Sequence, residues 1–277
     1  VASVTVGTIN NKLGKITVTG QAAGAKSSLN ATTIKIGVGS ENADKAVVEV
    51  KGHGSLNASD TLEIGKGGKV TVEADGAITA GTLTMSSGSL TTSGKVEGTT
   101  IKLNGGTVDF GAAAGVLGGD TSVINISGGT VHAKTAAGTV KGATVNLKSG
   151  DIKATNDLTI DGSLVATSGT LTIKNQKALI LKGADSSIGD DVKVVLDTDT
   201  DTHTLRVATD ANKSSKLSLS VKKFKEFTAD GTAANKIALS GAASSKSTEL
   251  RFTDAKVDLG ATDLAILNKS GQLNDAK

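Results

Sequence analysis

Cysteine, proline, tryptophan and tyrosine are all missing from the 277 residues, and there are only four Phe, three His and one Met. Without Cys there can be no disulfide, no thiolate nucleophile and no Cys-based zinc site, while the compartment stays open. Without Pro every backbone amide is free to donate a hydrogen bond. A core with four aromatic rings (Phe110, Phe224, Phe227, Phe252) must be built from Val, Ile, Leu and Ala in thin layers. Only Arg206 and Arg251 offer a planar guanidinium; the remaining 28 of the 30 basic residues are Lys. The net charge of +3, from 30 basic and 27 acidic residues, is too small and too evenly spread for a nucleic-acid surface. Long apolar runs are absent too: "KALILKG" is among the longest, far short of the roughly 18 residues that span a bilayer. The opening Val1, with no basic and apolar leader before it, predicts a processed chain or an excised fragment.

What is abundant is Gly, 35 residues of it, with Ser, Thr and Ala, and these residues recur in a phrase. The pattern apolar-x-apolar-x-x-Gly-x-apolar begins at Leu83 ("LTMSSGSL"), Ile101 ("IKLNGGTV"), Ile124 ("INISGGTV") and Val145 ("VNLKSGDI"), and with one residue inserted at Leu62 ("LEIGKGGKV"). The starts at 62, 83, 101, 124 and 145 are 21, 18, 23 and 21 residues apart. A third apolar point lies between successive phrases, so each period holds three short strands, here a, b and c. The a strands begin near Leu62, Leu83, Ile101, Ile124, Val145 and Leu164, and the b strands near Val70, Leu90, Val108, Val131, Ile152 and Leu171. The c strands centre near Ile78, Val96, Val116, Val140, Leu158 and Leu179. Each alternates apolar with polar, so one side meets a core and the other meets water.

Three two-sided strands in a period of about 18 to 24 residues predict an all-β fold, a parallel three-sided β-solenoid. Helical repeats need a 3.6-residue period, and leucine-rich repeats need a fixed Leu and Asn framework; neither is present. Gly128 and Gly129 are expected to turn the chain between two faces, with Ile124, Ile126 and Val131 pointing inward. The regular register divides the chain into N-terminal coils or a docking end (1–53), a regular solenoid (54–187) and irregular C-terminal coils, cap or docking end (188–277). Within these, "SENADK" (40–45) reads as a loop. "TDLAILNKSG" (262–271) reads as a short helix or a strand, and "VKKFKEF" (221–227) as a packed edge or subunit contact in preference to a membrane-surface helix.

Chemistry-bearing constellations are few. Asp109 and His132 fall at equivalent b positions of neighbouring coils, because Val108 aligns with Val131; they are either a general acid/base pair or an exposed cross-coil pair. "DTDTDT" sets Asp197, Asp199 and Asp201 at alternate positions, where they could give three oxygen ligands to Ca²⁺ or form a solvated turn. His53, His132 and His203 are too scattered for a metal cluster, and "GKGGKV" (65–70) lacks the Ser or Thr and the helix of a phosphate loop. No other cofactor is expected.

At "LNGGTVDF" and "INISGGTVHA", set in Cys-free coils rich in Ser, Thr, Gly and Asn, the chain resembles the β-helical stalks of bacterial surface and secreted proteins. These include autotransporter passengers, filamentous-haemagglutinin-like adhesins and surface-layer subunits. The resemblance implies a non-enzymatic extracellular or cell-surface structural protein, a subunit of a self-assembling fibre or surface layer. An adhesin stalk that binds host glycans or proteins, and a polysaccharide-cleaving enzyme, are the alternatives. The expected partners are further copies of the chain, joined head-to-tail or by strand exchange, and the cell envelope or a host surface.

Overall fold

The computed structural model describes residues 1–7, 14–22, 26–39, 45–196, 204–208, 214–228, 236–240 and 248–253. The alternation predicted from sequence sets the strand faces, and the strands stack in parallel into three ladders, one for each face of a β-solenoid. Ladder a runs from Ser3–Val6 through 33–36, 61–64, 82–85, 100–103, Val123–Ile126, 144–147, 163–166, 186–188 and Ser215–Leu219 to Thr248–Phe252. Ladder b runs from Gly14–Gly20 through Ala46–Gly52, Gly68–Val72, Ser89–Thr92, Thr107–Phe110, Thr130–Ala133, Asp151–Ala154 and 170–173 to 192–196. Ladder c runs from 28–31 through 55–58, 77–80, 95–98, Gly115–Leu117, 138–141, 158–161, Ala178–Leu181 and Thr204–Ala208 to Lys236–Ser240.

The three strands of a coil are less separate than the sequence pattern suggests. In Ser28–Ile36, Ser55–Ile64, Ala77–Met85 and Lys95–Leu103 the c and a segments form one bent strand. Register irregularities at Ala31/Thr33, Ala58/Thr61 and Lys141/Thr144 mark the bend; an unpaired residue or two there turns the chain without breaking the ladder. Leu158–Ile173 carries this further and runs through all three faces as one strand.

The core consists of columns of like residues. Leu62, Leu83, Ile101, Ile124, Val145 and Leu164 stack in register and are wholly buried, as are Ile64, Met85, Ile126 and Leu147 beside them. Each such aliphatic side chain contributes about 1.5–3 kcal/mol by leaving water. The template glycine of the repeated phrase has its own column, at Gly88, Gly106, Gly129, Gly150 and Gly169, where the chain turns from a to b. A Cβ on Gly106 would lie 2.7 Å from the Gly88 carbonyl oxygen, one on Gly150 2.3 Å from that of Gly129, and one on Gly169 2.4 Å from that of Gly150. Three of the five also need the left-handed region: φ is +79° at Gly88, +76° at Gly106 and +97° at Gly169. Gly128 and Gly129 hold the expected corner, but for space rather than for φ: a Cβ on Gly128 would meet the Asn104 carbonyl oxygen at 2.5 Å.

The segment "VKKFKEF" is not an edge strand. It lies in the α-helix Val221–Thr228, and Phe224 and Phe227 are buried within this chain. Residues 40–44 of the expected loop, and the whole of 262–271, lie outside the described residues.

Candidate functional site

Along the outer side of ladder b the register places Thr91, Asp109, His132 and Lys153 on successive coils. The expected neighbours are therefore brought together. His132 Nδ1 lies 3.3 Å from Asp109 Oδ1, both side chains are largely buried, and among the described residues that oxygen has no hydrogen-bond partner. The other ring nitrogen, Nε2, lies 2.9 Å from Thr155 Oγ1, in the coil above. Thr155 Oγ1 in turn donates to the Ala133 carbonyl oxygen at 2.8 Å, which also receives the Asn156 amide at 2.9 Å. Asp109, His132 and Thr155 thus link three consecutive coils.

The Thr155 hydroxyl has one proton and gives it to Ala133, so Nε2–H donates to Thr155 Oγ1, and a neutral ring then faces Asp109 Oδ1 with an unprotonated Nδ1. Burial pushes the His132 imidazole below its usual pKa; the Asp109 charge opposes that, and Lys153 and Lys134 reinforce it. Desolvation dominates because the ring is largely covered while the carboxylate contact is long for a hydrogen bond. The ring, the Thr155 hydroxyl and the Ala133 carbonyl form one directed chain of hydrogen bonds, which the Asp109 carboxylate does not join. Thr155 falls just past the strand Asp151–Ala154, on a corner that the alternating strand template does not cover, so the sequence pattern gave no sign of it.

Other polar contacts tie coils together. Asn57 Nδ2 donates to Asn30 Oδ1 at 2.7 Å and Asn146 Nδ2 to Asn125 Oδ1 at 3.1 Å, each across one coil step. On ladder b, Glu49 bridges Lys15 at 2.8 Å and Lys51 at 3.1 Å, and Lys51 reaches Glu73 at 3.7 Å. The two lysines hold the Glu49 carboxyl below its usual pKa, and Glu49 holds the Lys51 ammonium above its own. These groups are exposed, so water and salt weaken the pairs.

Two hollows lie toward the ends of the stack, away from Asp109 and His132. One, of about 350 Å³, is lined by Val1, Asn30, Ala31, Asn57, Ala58 and Thr79. The other, of about 520 Å³, lies between residues 190–194 and the helix, beside Lys222, Lys223 and Glu226. Asp197, Asp199 and Asp201 lie outside the described residues. Among the described residues no cluster of three His, Asp or Glu could hold a metal, and no helix is long and apolar enough to cross a membrane. No protein-family model, curated protein or solved structure matches this chain.

Proposed function

We propose that this chain is a non-enzymatic structural protein of the extracellular space, a subunit of a self-assembling surface fibre or surface layer. The observation that carries this reading is the open edges of the ladders. Among the described residues Ser3–Val6 and Gly14–Gly20 pair on one side only, and so does Lys236–Ser240 toward the other end. A parallel edge with unpaired amides and carbonyls is a template for another strand of the same kind. A second copy offers such strands, either head-to-tail or by strand exchange. The register supports an accurate join, because columns of like aliphatic residues continue from coil to coil.

Negative-stain microscopy and sedimentation velocity over a concentration series, with and without Ca²⁺, test the reading. Filaments or sheets with a subunit repeat along the solenoid axis are expected. Monodisperse monomers under every condition would overturn it. Surface exposure is tested separately, by cleavage of the chain when intact producing cells are treated with protease.

A further inference from the structure

Among the described residues ladder b ends at 192–196, and the segment that follows Ser215–Leu219, where its next strand would lie, is the helix Val221–Thr228. The register explains why no strand forms. Ile188 pairs with Leu219; past the bend the pairing resumes at Ser168 and Asp191, and the inward phase of ladder b starts four residues after Ile188, at Val192, and one coil earlier three residues after Ala166, at Gly169. Four residues past Leu219, a strand would turn Lys223, Lys225 and Phe227 inward. Three residues past it, a strand would turn Lys222, Phe224 and Glu226 inward. Both frames put two charged groups into an aliphatic core, where an unpaired charge costs several kcal/mol.

The helix resolves the conflict. Ser220 Oγ accepts the Lys223 amide at 3.1 Å, as an N-cap does, and also donates to Asp190 Oδ1 at 2.5 Å. Phe224 and Phe227, three residues apart, share the buried face, and Phe224 meets Phe252 edge-to-face at 5.5 Å. Lys223 is 2% exposed; its Nζ donates to the Val192 carbonyl oxygen and lies 2.7 Å from Glu226 Oε2. Val192 belongs to the last strand of ladder b, so the ammonium occupies the place that an amide of a further strand would take.

We propose that the helix Val221–Thr228 is a ladder stop, with Lys223 as its plug, and that it closes this end of ladder b against strand addition by a second copy. The inference goes beyond the assembly reading, since a stop acts whether or not the wild-type chain assembles.

The chain has no Cys, so a photocrosslinker carried on a single introduced thiol reports contact with any residue of a second copy: on Lys193→Cys beside the helix, or on Lys15→Cys on the first strand of ladder b. The variant carrying Lys223→Val and Lys225→Val fits the four-residue frame. It is expected to sediment as dimers and longer species, with crosslinking through position 193 rising severalfold over the wild type. A folded double variant, judged by circular dichroism and a cooperative melt, that crosslinks at 193 no more than wild type overturns the stop. Wild-type chains joined through position 193 as readily as through 15 overturn it too, and that measurement does not depend on the variant folding. Wild-type monomers with an associating double variant would leave the stop standing and sink the assembly reading. Wild-type fibres joined through 193 would do the reverse.

Discussion

The ring of Phe110 occupies the space where a side chain on Gly138 would begin: a Cβ there would lie 2.2 Å from ring atoms Cγ and Cδ2. Phe110 is also followed in its own inward column by Ala133 and Ala154, so the one aromatic ring in the middle of the stack is housed by small neighbours. Its pairing with Gly138 leads to the first prediction. Gly138→Ala forces the ring to shift and is expected to cost about 1–3 kcal/mol, read from the urea midpoint. Adding Phe110→Leu to Gly138→Ala should recover part of that loss, a coupling of about 0.5–3 kcal/mol. Strict additivity of the two changes would show that the ring does not depend on the glycine.

Two glycines of the same column should respond differently. At Gly150 a Cβ meets the backbone oxygen of Gly129 at 2.3 Å, while at Gly129 the nearest atom is Leu103 Cβ at 3.0 Å. Gly150→Ala should therefore lower stability by about 1–3 kcal/mol and Gly129→Ala by clearly less. Equal losses in thermal denaturation would show that the turn responds to conformational freedom rather than to contact with the coil below.

The His132 ring gives the stability a dependence on pH. Its pKa in the folded chain is lowered from 6.5, so between that lowered value and 6.5 the unfolded chain binds more protons. The stabilising contribution is complete above 6.5 and is lost as pH falls through the folded value. Melting temperatures should drop on acidification through this window, and His132→Gln should flatten that limb. Asp109→Asn removes the charge that opposes the shift and should move the titration of the ring, followed by proton NMR, further down. A rise in the midpoint would overturn the reading that the Asp109 charge opposes the shift.

Ser122 is buried where the c and a segments meet. Its Oγ donates to the Gly98 carbonyl oxygen of the coil below and accepts the Gly119 amide at 2.8 Å. Ser122→Ala leaves both groups without that partner and is expected to cost about 1–3 kcal/mol. Hydrogen exchange should locate the loss at Gly119 rather than spread it over the stack.

The sequence carried the fold in its period. Leu62, Leu83, Ile101, Ile124, Val145 and Leu164 were readable as one series because they recur with the same glycine, and the structure stacks them in one column. Asp109 and His132 were readable as neighbours for the same reason. Thr155 was not, since corner residues follow no alternation. A helix at 221–228 is the less favoured reading from sequence because eight residues are too few for a clear 3.6-residue period, and because two Phe among lysines look like a packed edge until the register shows which frame a strand would need. The joining of c and a into single bent strands was hidden as well, since the bulges at Ala58/Thr61 and Lys141/Thr144 leave the alternation on either side intact.

The glycine column also bears on how such a chain can change length. Each glycine clears the carbonyl of the coil beneath, so a tandem duplication of one whole coil would bring its own clearance, its own aliphatic column members and its own corner. Old contacts would be left unchanged, and about 4.8 Å would be added along the axis. Insertions smaller than a coil would find no such accommodation on the faces, only at the corners. Height along the axis is therefore set in discrete steps, by the number of repeats.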